Sequence, residues 1–290
     1  MVVESMNHTP MQRCFYRFLP TMLLVGIVAC GEKVRFDDLE NKRQRQSASQ
    51  HWKELLEESI TDDGIRYDHI DENRDILHRF LQWAGEHGPE MDHMRESKED
   101  RRIAYVANTY NAAVIHSVLE YRDDQLSPDS GHNVMDVKAG LFTWRGAGFF
   151  FGKRYRSDGE WGSLWLIEEQ SLVNRYQDPL LHFSIHKACV GCPPIQWWPG
   201  TGVQHRLETT LRAWLATEHG MRQTKTGWAV SSLITDHEKD FMDWSEAESL
   251  CDWLHKYAPK PAKKWLRDNK EDCPIESFAM DWTLDDAVDP

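Results

Sequence analysis

The sequence predicts an α+β fold: a single compact domain, mostly helical with a small sheet, behind a signal peptide and a short tether. Three observations predict it. Helical and strand-like patterns alternate without the strand–helix–strand rhythm of a parallel α/β sheet. The strand-like runs are few and short, against several longer stretches with apolar residues at helical spacing. The 13 Trp, 11 Phe and 8 Tyr among 290 residues are enough large side chains to fill a core. Hydrophobic residues make up 40% of the chain and charged residues 28%, a balance unlike that of a multi-span membrane protein or a mainly disordered chain. The formal charge of −13 argues against a nucleic-acid binder, which needs a basic face to displace counterions from phosphates.

The N-terminus reads as an address. Residues 1–17 carry one acid, Glu4, and two bases, Arg13 and Arg17. The apolar run 18–29 is too short to span a bilayer as a helix and suits the apolar core of a signal peptide. Met11 lies nearer these arginines than Met1 and is an alternative start. Ile27-Val28-Ala29-Cys30 followed by polar Gly31-Glu32-Lys33 resembles the lipobox of bacterial lipoproteins. That resemblance implies cleavage before Cys30 and acylation (palmitate included) at Cys30. More than one acyl chain gives stable anchoring where one is marginal. A plain secretory signal is the alternative. With Gly31 rather than Asp after the cysteine, the sorting pattern implies the outer membrane, facing the periplasm. Loss of residues 1–29 leaves 32 Lys+Arg against 46 Asp+Glu, or −14. Attachment would then rest on the lipid, because an acidic body gains nothing from anionic headgroups.

The elements follow in order. Residues 30–50 are polar and read as a lipidated tether, and the globular domain covers 51–290. Trp52, Leu55 and Leu56 predict a first helix; Ile70, Ile76, Leu77, Phe80, Leu81 and Trp83 predict a second. Beyond a charged stretch, 103–119 is a central helix. Phe149, Phe150 and Phe151 favour a strand or hairpin. Residues 163–176 form a helix with Ser163 as N-cap, broken at Asp178-Pro179. Leu180 to Ile185 reads as a buried strand, and Cys192-Pro193-Pro194 forces a turn. Residues 203–217 are helical, 228–233 a short strand, and 246–257 a helix ended by Pro259.

Six motifs now stand in order. They are Asn108-Thr109-Tyr110-Asn111-Ala112, Ser163-Leu164 with Ile167-Glu168, Asp178-Pro179-Leu180-Leu181-His182-Phe183, Gly191-Cys192-Pro193-Pro194, Asp240-Phe241 and Asp281-Trp282-Thr283-Leu284-Asp285-Asp286. Together they resemble the family catalogued as domain of unknown function 547, from about Ile65 to Asp286. The resemblance implies one α+β domain, often secreted or lipid-anchored in bacteria, with a distant likeness to papain-like thiol enzymes. This chain departs from the family pattern twice. A family histidine is replaced by Glu169, and a first family cysteine by Lys187, with Cys189 two residues on; Cys192 keeps the second cysteine position. A member that used that histidine and first cysteine for chemistry would here have lost both.

Candidate chemistry centres on this region. A thiol hydrolase would use Cys192 as thiolate, His182 as base (His116 and His237 being others), and Asn108 or Asn111 to orient the imidazole or supply an oxyanion donor. Pro193 and Pro194 have no N–H to offer an oxyanion. The plainer reading makes His182 a core residue and lets Asn108 and Asn111 tie helix to loop. His182, His186, Cys189 and Cys192 have the ligand types of a zinc site, a weaker alternative to no metal at all. With Cys14 cleaved off and Cys30 acylated, four of the six Cys remain. Cys189–Cys192 and Cys251–Cys273 could be disulfides beyond the inner membrane, or the thiols could be free and buried. Glu168, Glu169 and Asp178 could pair as an acid and a base, but adjacent Glu residues on a helix point to different faces and suit a solvated surface. Trp197 and Trp198 are a binding candidate, since aromatic rings stack on sugars or grip a partner. Gly140, Gly146, Gly148 and Gly152 do not fit a nucleotide loop, and no cofactor is expected. The function read from the sequence is a lipid-anchored cell-envelope domain that binds or scaffolds, with a protein or glycan partner in the envelope. The alternative is a papain-like hydrolase or transferase acting on envelope peptide or glycan.

Overall fold

The computed structural model describes residues 31–36, 42–91, 98–126, 132–142 and 144–287. The expected signal peptide and Cys30 lie outside the described residues. The architecture is α+β, with three small sheets among many helices. The chain packs as two compact units. The larger comprises residues 31–176, 180–210 and 281–290, and the smaller includes 211–280.

The larger unit is organised by one helix. After β1 (Glu32–Lys33) come α1 (Lys42–Ser59), the hairpin β2 (Ile60–Thr61) and β3 (Gly64–Ile65), α2 (Tyr67–Glu72), α3 (Arg74–Glu86) and α4 (Glu99–Gln125). The expected second helix is thus two, divided at Asn73, whose φ of −116° and ψ of 28° are not helical. Every residue of α4 from Ile103 to Leu119 is buried. A helix enclosed on all sides has no need of an amphipathic pattern, and α2 and α3 supply part of its surroundings. No helix among the described residues is long and apolar enough to cross a membrane.

Phe149–Phe151 do not form the expected strand. They lie in the short helix α5 (Ala147–Phe151), and the strands follow as β4 (Lys153–Ser157) and β5 (Glu160–Ser163). The three phenylalanines are all buried, so a buried apolar run was misread as a strand; such runs do not distinguish the two by periodicity. β4 pairs antiparallel with β5 and parallel with β1. The supposed tether therefore begins docked to the body, and α1 starts by Lys42. Ser163 caps the next helix as expected, its Oγ accepting from Leu166 N at 3.3 Å. That helix runs through α6 (Leu164–Leu166), a π-helical turn at Ile167–Val173, and α7 (Asn174–Tyr176). The expected strand near Leu180 is instead a 3-10 helix, Pro179–Phe183, started by the fixed φ of Pro179. α8 (Val203–Leu215) carries the chain into the smaller unit.

The smaller unit holds β6 (Met221–Gln223), β7 (Trp228–Ser231), α9 (Ser232–Asp236), α10 (Glu238–Asp243), α11 (Leu250–Tyr257), α12 (Lys260–Asp268) and β8 (Glu276–Phe278). β7 is the central strand, antiparallel to β6 and parallel to β8. Phe241 and Trp253 pack with ring centroids 4.4 Å apart. A Cys251–Cys273 disulfide staples α11 to the segment before β8.

Candidate functional site

Most of the family-like motifs lie in the larger unit (Asp240-Phe241 is in the smaller one), and many of their polar groups are bonded to one another. Asn108 and Asn111 lie three residues apart on α4, hence on one face. The Asn111 carboxamide donates to Ser184 O at 3.2 Å and accepts from His186 N at 2.9 Å. The Asn108 carboxamide donates to Trp198 O at 2.8 Å and accepts from Trp198 N at 2.9 Å. Each asparagine clamps a length of loop that has no ladder of its own. This satisfies buried backbone groups that would otherwise be costly.

His186 is held at both ring nitrogens: Nδ1 lies 2.7 Å from Pro193 O and Nε2 lies 2.6 Å from Asp285 Oδ2. Burial alone would lower its pKa. The Asp285 charge, the hydrogen bond to it and the Pro193 carbonyl outweigh burial, and the pKa is raised. Tyr67 OH donates to the other Asp285 oxygen at 3.0 Å. The C-terminal motif also holds the cysteine loop, with Val190 N donating to Thr283 O at 2.8 Å and Gly191 N to Asp281 O at 2.9 Å. It crosses the β2–β3 hairpin at Gly64 so closely that a Cβ there would sit 2.3 Å from Asp285 O.

One of the two family departures, Lys187, meets Glu168, the residue beside the other. Lys187 Nζ lies 2.6 Å from Glu168 Oε1, with side chains only 8% and 1% exposed. Tyr110 OH donates to Glu168 Oε2 at 3.4 Å, and Glu169 Oε2 accepts from Asn174 at 3.2 Å. The solvated-face expectation for Glu168 and Glu169 is therefore corrected: both are buried. The π-helical geometry, which rotates side chains relative to an α-helix, and the partners Lys187, Tyr110 and Asn174 account for it.

Cys189 and Cys192 form a disulfide with Cα atoms 5.2 Å apart. Cys192 is then not a thiolate, and neither sulfur is available as a metal ligand. His186 has spent both nitrogens, so the four-residue zinc set is not assembled. His182 is buried at 2% exposure. His116 lies two turns beyond Asn108 and is hydrogen-bonded to Tyr155 OH at 3.0 Å; His237 belongs to the smaller unit.

A different part of the larger unit has unspent groups. A cavity of about 420 Å³ is walled by Phe80, Trp83, Tyr105, Trp197 and Trp198, with Arg101, Asn108, Ser49 and Thr201 among its polar lining. The volume falls within the range of small-molecule sites. Phe80 stacks on Trp83 at 5.7 Å and meets Trp197 edge-on at 6.0 Å. The loop carrying the two tryptophans is fixed by the Asn108 clamp. It is fixed again by Asp100, whose carboxylate accepts from Gly202 N at 2.6 Å and Val203 N at 3.3 Å at the start of α8. Trp198 is 1% exposed, yet its indole N–H has no acceptor among the described residues. Arg101 is exposed and makes no ion pair with any described residue. Tyr105 OH is already engaged, donating to Ala84 O and accepting from Asp158 N at 2.8 Å, and burial pushes its pKa up to about 12. Trp197 and Trp198 stand out in the sequence as binding candidates, whereas Trp83, Arg101 and Tyr105 do not. The spacing Arg101, Ala104/Tyr105, Asn108 was the available signal, because it sets one face of a helix.

A family profile described as "Protein of unknown function, DUF547" matches residues 94–215. Residues 94–215 are a DUF547 domain. The match takes in Asn108, Asn111, Glu168, Lys187, Cys192 and the cavity residues Arg101, Trp197 and Trp198, while the Asp281–Asp286 motif lies beyond it. No curated protein and no solved structure matches the chain.

Proposed function

We propose that this chain is a lipid-anchored bacterial cell-envelope protein whose DUF547 domain is a non-catalytic binding module, with an envelope glycan as its ligand in the aromatic cavity. The observation that carries the reading is the cavity itself. It combines stacked aromatic walls at Phe80, Trp83 and Trp197 with an exposed Arg101 guanidinium that makes no ion pair with a described residue. Aromatic faces stack on the C–H faces of a sugar ring, and donors around them take its oxygens. The lipobox-like residues 27–30 support anchoring at Cys30, and Gly31 supports the periplasmic side of the outer membrane. The thiol-enzyme alternative would need the Cys189–Cys192 bridge opened. It would also need a base in a region where Lys187, Glu168, Asn111 and His186 are already committed to internal partners.

The binding test is calorimetric titration of the mature chain, carrying Cys30→Ser, with soluble glycan fragments released from bacterial envelopes. Saturable binding that disappears in Trp197→Ala is expected. Absence of binding, or equal binding by that variant, contradicts the reading. The address is tested separately: after the membranes are washed with 500 mM NaCl, Cys30→Ser should be lost from the membrane fraction of cells, and a fraction unchanged by the wash refutes it.

A further inference from the structure

The β1–β4–β5 sheet presents a cationic face that the whole-chain charge hides. Strand alternation sends every second side chain to the same side, and cross-strand partners share that side. β1 pairs Lys33 with Arg154, and β5 pairs Trp161 with Arg156. Lys33, Arg154, Arg156 and Trp161 therefore share a face, and Lys33 Nζ lies 5.4 Å above the Trp161 ring. Arg35 follows two residues after Lys33. Lys33, Arg35 and Arg156 are exposed and Arg154 is half-buried. None of the four forms an ion pair with a described residue, whereas Lys153, on the opposite face, pairs with Glu32 and Glu120 at 3.5 and 3.2 Å. Between Arg35, Arg156 and Trp161 is a shallow cavity of about 190 Å³, in which Glu86 is the carboxylate among the described lining residues.

The place of this face in the chain suggests its partner. Lys33 is three residues from Cys30, a reach of at most about 10 Å. The intervening chain is not a free tether. Glu32 N donates to Gly152 O at 2.8 Å and Val34 N to Arg154 O at 2.9 Å. Gly31 packs so tightly that a Cβ there would sit 2.5 Å from Phe151 O. An acyl group on Cys30 would thus bring this sheet face, rather than an average of the acidic body, against the membrane.

We infer that the Lys33–Arg35–Arg154–Arg156–Trp161 face is a membrane-contact surface for anionic phospholipid headgroups. The inference rests on the proposed anchoring at Cys30 for its setting, but the surface acts by its own charge. At physiological ionic strength the Debye length is about 8 Å. Four local cations at the lipid surface therefore outweigh the acids of the distant body, each adding about fivefold to membrane affinity. Trp161 supplies a ring of the type that settles at the headgroup level.

The test is sedimentation of the mature chain, carrying Cys30→Ser and so without acyl groups, with vesicles of phosphatidylcholine alone or containing 30% phosphatidylglycerol. Binding only to the anionic vesicles is expected, with release by 500 mM NaCl. The triple variant Lys33→Gln, Arg35→Gln, Arg156→Gln should bind roughly a hundredfold more weakly. A control with Lys239→Gln, Lys263→Gln and Lys264→Gln should bind as before. Failure of the unacylated chain to bind anionic vesicles overturns the inference, as does equal loss in the control. Should the triple variant not fold, the salt release of the native surface and the single variant Arg156→Gln decide in its place. Retention of the Cys30→Ser protein in cell membranes that 500 mM NaCl does not release would count against anchoring alone, since salt-sensitive binding by the unacylated chain in vitro is read independently.

Discussion

Two regions of the larger unit, built on the same helix α4, differ in how their polar groups are spent. Around Asn111, His186, Asp285 and the Glu168–Lys187 pair, side chains that resemble a reaction centre in sequence are bonded to one another and to loop backbone. Around Arg101, Trp83, Trp197 and Trp198, aromatic rings and a guanidinium with no ion-pair partner among the described residues line a cavity. Satisfied polar groups hold a fold, and an aromatic-lined cavity with uncommitted polar groups at its wall has room for a ligand. The motif cluster therefore reads as wiring and the aromatic cavity as the working surface.

The largest expected effect sharpens the first half of this contrast. Lys187→Met leaves Glu168 charged and unpaired in the interior. It should cost about 3–5 kcal/mol and, for a chain of this size, lower Tm by roughly 10 °C. The double change Glu168→Leu/Lys187→Met should recover most of that loss. Thermal unfolding followed by circular dichroism checks both, and a stable Lys187→Met single variant would break the wiring account.

A pH effect comes next. Burial first, then the positive charges of His78, Lys153 and Arg74, pull the His116 pKa from 6.5 down to about 3. A depressed folded-state pKa means that the unfolded chain takes up the proton first. The His116 contribution is therefore intact above about pH 6.5 and is lost as pH falls towards 3, by on the order of 5 kcal/mol in full. His186 has the opposite sign. Its raised pKa stabilises below the unfolded value and fades as pH rises through the folded one. Urea midpoints between pH 7 and 4 should fall for the native chain and flatten in His116→Gln. An identical slope in that variant would remove His116 as the cause.

Asn111→Ala should cost about 2–3 kcal/mol, because two buried backbone partners lose their bonds together. Chemical denaturation measures this, and a loss below 0.5 kcal/mol would show that the clamp is not needed. The smallest stability effect belongs to the cavity. Trp197→Ala, at a half-buried position, should cost about 1 kcal/mol while removing glycan binding. A variant that loses stability but keeps affinity would exchange the roles of the two regions.

Much of this was legible in the sequence. The long apolar segment 103–119, the Ser163 cap and the placement of Asn108 and Asn111 as helix-to-loop ties all follow from spacing and side-chain chemistry. The two disulfides were open alternatives that only the backbone geometry resolves. Phe149–Phe151 and Leu180–Ile185 were misread because a short buried run satisfies strand and helix equally. The burial of Glu168 and Glu169 was hidden because their partners, Lys187, Tyr110 and Asn174, approach through π-helical and loop geometry that no residue pattern encodes. The cationic sheet face was hidden by net charge, which averages over the surface and says nothing about where charges gather. Trp83 and Arg101 were missed because a cavity is a property of packing between α3, α4 and the Trp197–Trp198 loop.

The central claim is that the domain works at the aromatic cavity rather than at Cys192. The most direct measurement is nitrogen–proton NMR of the indole resonances of the mature Cys30→Ser chain during titration with soluble envelope glycan fragments. The account predicts that the indole N–H signals of Trp198, Trp197 and Trp83 move together and saturate. Shifts confined to the backbone around Cys189 and Cys192, with the three indoles unmoved, would contradict it.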